Sequence, residues 1–148
     1  MTMKHKRLAS ILTLGFICSA PSIFAQAPQS PESLEISSAQ VQYIDVGLGG
    51  PKVGAVWGDP SKGAYGAFLR LPKGFVSPLH VHTGDYYGVV VEGTVVNAEE
   101  GHREIPLKPG SYYFQRGKTD HVTKCLGDVD CLIYMSQSQA SDFIVRKK

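Results

Sequence analysis

The sequence predicts an all-β protein, an antiparallel sandwich or barrel, and three observations carry that prediction. From residue 41 onward, apolar or alternating runs of roughly four to eight residues recur along the chain. The runs are rich in β-branched and aromatic residues, and clusters of Gly, Pro and Asp separate them. No stretch long enough for a helix keeps a 3.6-residue apolar period, which excludes a helical bundle and a doubly wound sheet.

The elements follow in order. VQYIDV ends at GLGG, KVGAVW at GDPSKG and GAFLRL at PKG. PLHVH ends at TGD, and the long run YYGVVVEGTVV at NAEEG. REIPL then stops at KPG, SYYFQ at RGKTD and HVTKCL at LGDVD, before CLIYMSQ and DFIV close the series. Each break supplies residues that accept turn conformations. No repeat relates one half of the series to the other, so one barrel is expected.

The chain of 148 residues opens MTMKHKRLASILTLGFICSAPSIFAQA. Lys4, Lys6 and Arg7 precede an apolar run, and small residues follow. This is the pattern of a secretory signal peptide, residues 1–25, with the cut after Ala25 or Ala27. The apolar run is shorter than the ~20 residues a spanning helix needs. Residues 26–38, rich in Pro, Ser and Gln, read as a flexible arm, and 39–148 as the barrel. A periplasmic or secreted protein is expected, with no membrane association after cleavage. The leader holds three of the 15 basic residues, against 13 acidic ones, so the remainder is close to neutral. No basic patch points to nucleic acid.

Residues alternate sides along a strand, so His80 and His82 project together. That is the geometry in which two imidazoles share one ion, although H-x-H alone is a weak signal. Gly74 lies six residues before His80, and Gly93 eleven after His82. A second stretch, GSYYFQRGKTDHVTKC, places His121 on a strand after a glycine-containing turn. Together these resemble the two motifs of the cupin superfamily, G-x5-H-x-H-x3,4-E-x6-G and G-x5-P-x-G-x2-H-x3-N. The segments WGDPSKG, LPKGFVSPLHVHT, PGSYYFQRG and HVTKC are similar to a secreted bacterial family of cupins with no assigned function.

The resemblance implies a small antiparallel jelly-roll barrel with a metal inside it, held by two His and the Glu of the first motif and the His of the second. Carried over by position, His80, His82 and His121 are the metal ligands. The departures matter as much. Tyr86 stands at the Glu position, Gln115 at the Pro position and Cys125 at the Asn position, with one extra residue before His121. Asp85 is adjacent but short, and Glu92 lies too far along the strand.

Three neutral imidazoles leave a divalent ion its full charge, which makes it a stronger Lewis acid and leaves positions open for an anionic or chelating molecule. Some three-histidine cupins are dioxygenases, so a dioxygenase-type enzyme acting on a small molecule is one reading. A non-catalytic module that binds a small ligand or metal is the other. The cofactor is a divalent transition metal, and the sequence does not choose among Fe, Zn, Mn, Ni and Cu. Tyr86 is the candidate catalytic residue, and three roles stay open for it: a ligand, a hydrogen-bonding group, or a filler of space.

Cys125 and Cys131 flank the turn LGDVD. They read as a disulfide, as two buried thiols or as soft groups near the metal, and export favours the disulfide. Trp57 is expected to pack on the barrel as a core residue, with lining of an entrance as the alternative. At least one of Tyr112, Tyr113 and Phe114 is expected to face inward, and Glu99 and Glu100 to form a solvated turn. Cupins commonly pair through sheet edges, so the resemblance also implies a homodimer.

Overall fold

A computed structural model describes residues 33–147. The expected leader and the first part of the arm lie outside the described residues. Ten strands form there: β1 (Ile44–Asp45), β2 (Lys52–Gly58), β3 (Tyr65–Leu71), β4 (His80–Val81), β5 (Tyr86–Glu92), β6 (Thr94–Glu99), β7 (Tyr112–Gln115), β8 (His121–Leu126), β9 (Cys131–Gln137) and β10 (Ile144–Val145). They make two antiparallel sheets, one in the order β1-β2-β3-β9-β5-β7 and one in the order β10-β4-β8-β6. The antiparallel all-β fold expected from the runs, and the jelly-roll the resemblance implies, is the fold observed. No helix among the described residues is long and apolar enough to cross a membrane.

Three local expectations need correction. The run YYGVVVEGTVV is two strands in different sheets, not one. Gly93 makes the crossing at φ 75°, and a side chain there would meet the Cys131 Sγ and the Asp130 carbonyl. REIPL is not a strand: only Leu107 bridges to Val95. Its two flanking prolines each lack an N–H for a ladder, which limits the pairing. Trp57 does not pack in the core. It sits at an irregularity of the β2–β3 pairing, 45% exposed, and its indole N–H donates to the Tyr134 hydroxyl at 3.0 Å.

Alternation fixes what lies between the sheets. Along β8 the inward residues are His121, Thr123 and Cys125, and along β9 they run from Gln137 through Met135 and Ile133 to Cys131. β5 goes from Tyr86 to Val90, and β3 from Tyr65 to Leu71. The register aligns these series, with Tyr65 opposite Gln137 and Leu71 opposite Cys131. The barrel is therefore polar at one end and apolar at the other. Leu71, Val90, Val95 and Ile133 form the apolar plug, which includes Cys125 and Cys131. Burial of such side chains contributes about 1.5–3 kcal/mol each.

Cys125 and Cys131 are joined, with an S–S distance of 2.07 Å and Cα atoms 5.7 Å apart. The bond ties β8 in one sheet to β9 in the other, at the end remote from the histidines. The Cys125→Ala/Cys131→Ala double variant is expected to lose about 2 kcal/mol of stability, the loop-closure term for so short a loop. Urea unfolding of the oxidised wild type and the variant checks this, with metal affinity expected to stay unchanged.

Candidate metal centre

β4 and the residue after it carry His80 and His82, and β8 begins with His121, paired in register with His80. The three ring systems lie with centroids 4.1 to 5.3 Å apart. One ligand atom from each of His80, His82 and His121 lies within 4.8 Å of the others. His80 and His121 are buried and His82 is partly buried.

The hydrogen bonds decide which ring nitrogen is free. The Nδ1 of His80 is 2.9 Å from the Pro78 carbonyl, and the Nδ1 of His121 is 2.9 Å from the Thr119 carbonyl. The Nδ1 of His82 contacts the Asp142 carbonyl. A carbonyl oxygen only accepts, so each Nδ1 carries the proton and each Nε2 keeps its lone pair. Backbone carbonyls thus fix three tautomers alike, the usual outer-shell arrangement around metal-ligating histidines.

Tyr86 occupies the motif's carboxylate position and points inward, 3% exposed. Its hydroxyl lies 3.0 Å from the Asn97 Oδ1 and 3.2 Å from the His121 Nε2. Asn97 sits in a directed chain. The Gln115 amide donates to the Arg116 carbonyl at 3.1 Å, so Gln115 Oε1 accepts from the Asn97 Nδ2 at 2.7 Å. Asn97 Oδ1 is then left to accept from Tyr86 and, at 2.8 Å, from the Thr123 hydroxyl. When the His121 Nε2 is engaged elsewhere, Asn97 holds the Tyr86 proton, and the phenol turns an oxygen lone pair toward the histidines.

The neighbouring acids are accounted for. The Asp85 carboxylate accepts the Gly117 N–H at 2.7 Å, which removes it from the site. Glu92 lies beside Leu132 on the opposite, outer face of its sheet. Glu99, expected to lie in a solvated turn, instead ends β6 directly across from His121. Glu99 and Asp120 favour a positive charge at His121, and Asp142 does so at His82. The rim is therefore attractive to a cation, although the cluster that could hold one consists of the three histidines alone.

The end of the chain closes over the histidines. β10 pairs with β4, setting Ile144 against Val81 and Val145 against His80. This places Phe143 on the His80 ring, centroids 4.0 Å apart and 19° from parallel. It also holds Asp142, whose carboxylate accepts the Thr83 N–H at 2.8 Å as well as the Thr83 hydroxyl.

Sequence reasoning named His80, His82, His121 and Tyr86, and the fold brings these four together. Cys125 lies instead in the apolar plug. Of the aromatic trio, Tyr113 turns inward and packs over Gly88, where a side chain would collide with its ring. Asn97, Asp142 and Phe143 were not found from the sequence. The one available signal was parity, since Asn97 shares its strand face with Val95 in β6.

The residues fit a divalent transition ion. One ligand atom from each of three neutral imidazoles lies within 4.8 Å of the others, and imidazole suits Zn, Cu, Fe and Ni. Residues 38–147 match the family described as a domain of unknown function (DUF4437), and the chain belongs to that family. Its fold is that of the cupins. The chain is similar to the polyketide cyclase RemF from Streptomyces resistomycificus, with TM-score 0.67, 13% identity, and 79% of this chain and 87% of that one covered. It is similar to an RmlC-like cupin from Shewanella frigidimarina, with TM-score 0.60, 21% identity, and 74% and 93% covered. A cupin-superfamily sugar phosphate isomerase from Silicibacter pomeroyi gives TM-score 0.58 and 17% identity, with 71% and 75% covered. No curated protein sequence matches the chain.

Burial, reinforced by the neighbouring imidazoles, pushes His80 down to about 3, and burial also lowers His82 and His121. The folded state therefore prefers these rings neutral, and the unfolded chain binds more protons below about pH 6.5. Their contribution to stability is complete above that pH and is lost as the pH falls toward the folded values. The melting temperature of chelator-treated protein is expected to drop as the pH is lowered from about 7 to about 4.5, above the carboxylate range. The drop is expected to be smaller in His80→Gln, and calorimetry across that window checks it.

Proposed function

We propose that this protein binds one divalent transition metal through His80, His82 and His121 and uses it to hold a small molecule with oxygen donors. The observation that carries this reading is the common tautomer, three Nδ1–H groups given to carbonyls, in three histidines whose ligand atoms lie within 4.8 Å of one another. When bound, such an ion supplies Lewis acidity, undiminished by a carboxylate ligand. The chain's own residues do the rest. The rim acids draw the cation in, Phe143 and Tyr113 limit access of water, and Tyr86 orients the molecule beside the histidines.

Within this reading the reaction class we propose is a dioxygenase-type oxidation, supported by the three-histidine resemblance. The alternative, a non-catalytic binding module, also has an observation in its favour. Burial pushes the Tyr86 and Tyr113 phenols up, so neither accepts a proton near neutrality. We further propose that the protein works in the periplasm or outside the cell. The leader-like residues 1–25 and a disulfide that suits an oxidising compartment support this.

Metal analysis and calorimetric titration test the central reading. The wild type is expected to take up one equivalent, with His82→Ala and His121→Ala each losing about a hundredfold or more in affinity. Less than about a tenth of an equivalent after reloading with each candidate metal would overturn it. Oxygen uptake by iron-loaded protein with β-diketone and thiol panels then separates the enzyme from the binding module.

A second measurement addresses Tyr86. Tyr86→Phe and Asn97→Leu are expected to leave metal affinity within about threefold while weakening β-diketone binding about tenfold, the loss of one hydrogen bond. Spectroscopic titration of the cobalt-loaded protein checks it. A large loss of metal affinity in Tyr86→Phe would make the phenol a ligand instead.

A further inference from the structure

Residues 142–146, which include β10, touch the chain beside each of the three histidines. The Asp142 carboxylate accepts the Thr83 N–H at 2.8 Å and also the Thr83 hydroxyl, and Thr83 follows His82. The Arg146 N–H donates to the Leu79 carbonyl at 2.9 Å, and Leu79 precedes His80. The Arg146 guanidinium donates to the Asp120 carboxylate at 2.7 Å, and Asp120 precedes His121. One short segment therefore joins residues 79–83 to residues 120–121.

The same segment is weakly held. β10 has two residues, lies at the edge of its sheet and pairs with the equally short β4. Ile144 and Val145 are 45% and 49% exposed, so little apolar burial keeps the strand down. By contrast β3 pairs with β9 over seven positions, and β6 with β8 over six. A segment with a short ladder and few buried contacts opens locally far more often than the whole fold unfolds. Upstream the chain is fixed, because the Ser141 N–H donates to the Pro60 carbonyl at 2.7 Å and the Gln137 amide to the Ala140 carbonyl at 3.4 Å. Lifting therefore begins after Ser141. Beneath the segment Phe143 lies on the His80 ring and meets His82 edge-on at 5.8 Å. His80 and His121 are 2% and 0% exposed, so an ion reaches them only when a cover moves.

We propose that Asp142 and Arg146 are positioning residues that clasp residues 142–146 over the histidines, and that an ion enters and leaves when this segment lifts from β4. The proposal rests on the reading of His80, His82 and His121 as ligands of one ion. The clasp bonds run to Leu79, Thr83 and Asp120 and do not involve the Nε2 atoms of the histidines. Weakening them changes how often the segment lifts and leaves the closed site as it was. Entry and exit then quicken by the same factor, and the dissociation constant, their ratio, is unchanged. A residue that only shaped the ligand set would act differently, raising the exit rate and weakening affinity.

Stopped-flow mixing with cobalt ion tests it, with circular dichroism to show that each variant is folded. Cobalt added to chelator-treated protein gives the entry rate from the absorption of the bound ion, and transfer to excess chelator gives the exit rate. Asp142→Ala/Arg146→Ala is expected to raise both rates about tenfold or more, with Kd within about threefold of the wild type. Arg146→Ala alone is expected to raise them about threefold, because its ion pair is partly exposed, and Arg146→Lys to behave like the wild type. In metal-free wild type the amides of residues 144–146 are expected to exchange hydrogen at least about tenfold faster than those of β9. A wild type that takes up no metal would overturn the metal reading and the clasp together. Where the wild type binds, the clasp alone is overturned by a folded double variant with unchanged rates, or with a tenfold weaker Kd and an unchanged entry rate. Amides at 144–146 as protected as those of β9 would also overturn it.

Discussion

Three imidazole N–H groups donated to three backbone carbonyls are the constraint on which the polar end of this barrel depends. The carbonyls of Pro78, Thr119 and Asp142 come from three separate segments. Without those acceptors a buried imidazole would leave a donor unpaired, at a cost of about 1–3 kcal/mol. With them the rings are held neutral and close together. The energy gained at the apolar plug holds this end together, since packed histidines contribute little hydrophobic stabilisation themselves. The disulfide sits in that plug, so the covalent tie and the chemically useful residues occupy opposite ends.

A phenol where cupins place a carboxylate changes the charge of the site and leaves its shape. Tyr86 fills the inward position, and its hydroxyl reaches the same corner that the histidines face. Negative charge has moved outward to Glu99, Asp120 and Asp142 on the rim, where it attracts a cation without binding it directly. Asn97 then sets the polarity of the phenol through a chain of amides that ends on the Arg116 carbonyl. The result is a cluster of neutral groups compatible with a divalent ion.

Much of this was legible before any coordinates, because strand alternation is local. The spacing of His80 and His82 places both rings on one face whatever the rest of the chain does, and the breaks between runs mark most strand ends. What was hidden depends on register and on the third dimension. Asn97 matters only because β6 lies beside β8, so that Thr123 and Tyr86 come within reach. Asp142 and Phe143 lie about sixty residues from the histidines they touch. Trp57 looked like a core residue by type alone, and its exposure follows from an irregular register that turns it outward. The break at Gly93 was hidden within a run of valines, since a single glycine at positive φ carries the chain from one sheet to the other.

The central claim is that the three Nε2 atoms converge on one ion. X-ray absorption spectroscopy of the zinc-loaded protein tests it most directly. The account predicts three imidazole nitrogens at about 2.0–2.1 Å, with the remaining positions filled by oxygen and no sulfur. Two or fewer imidazoles, or a zinc–sulfur distance near about 2.3 Å, would contradict it.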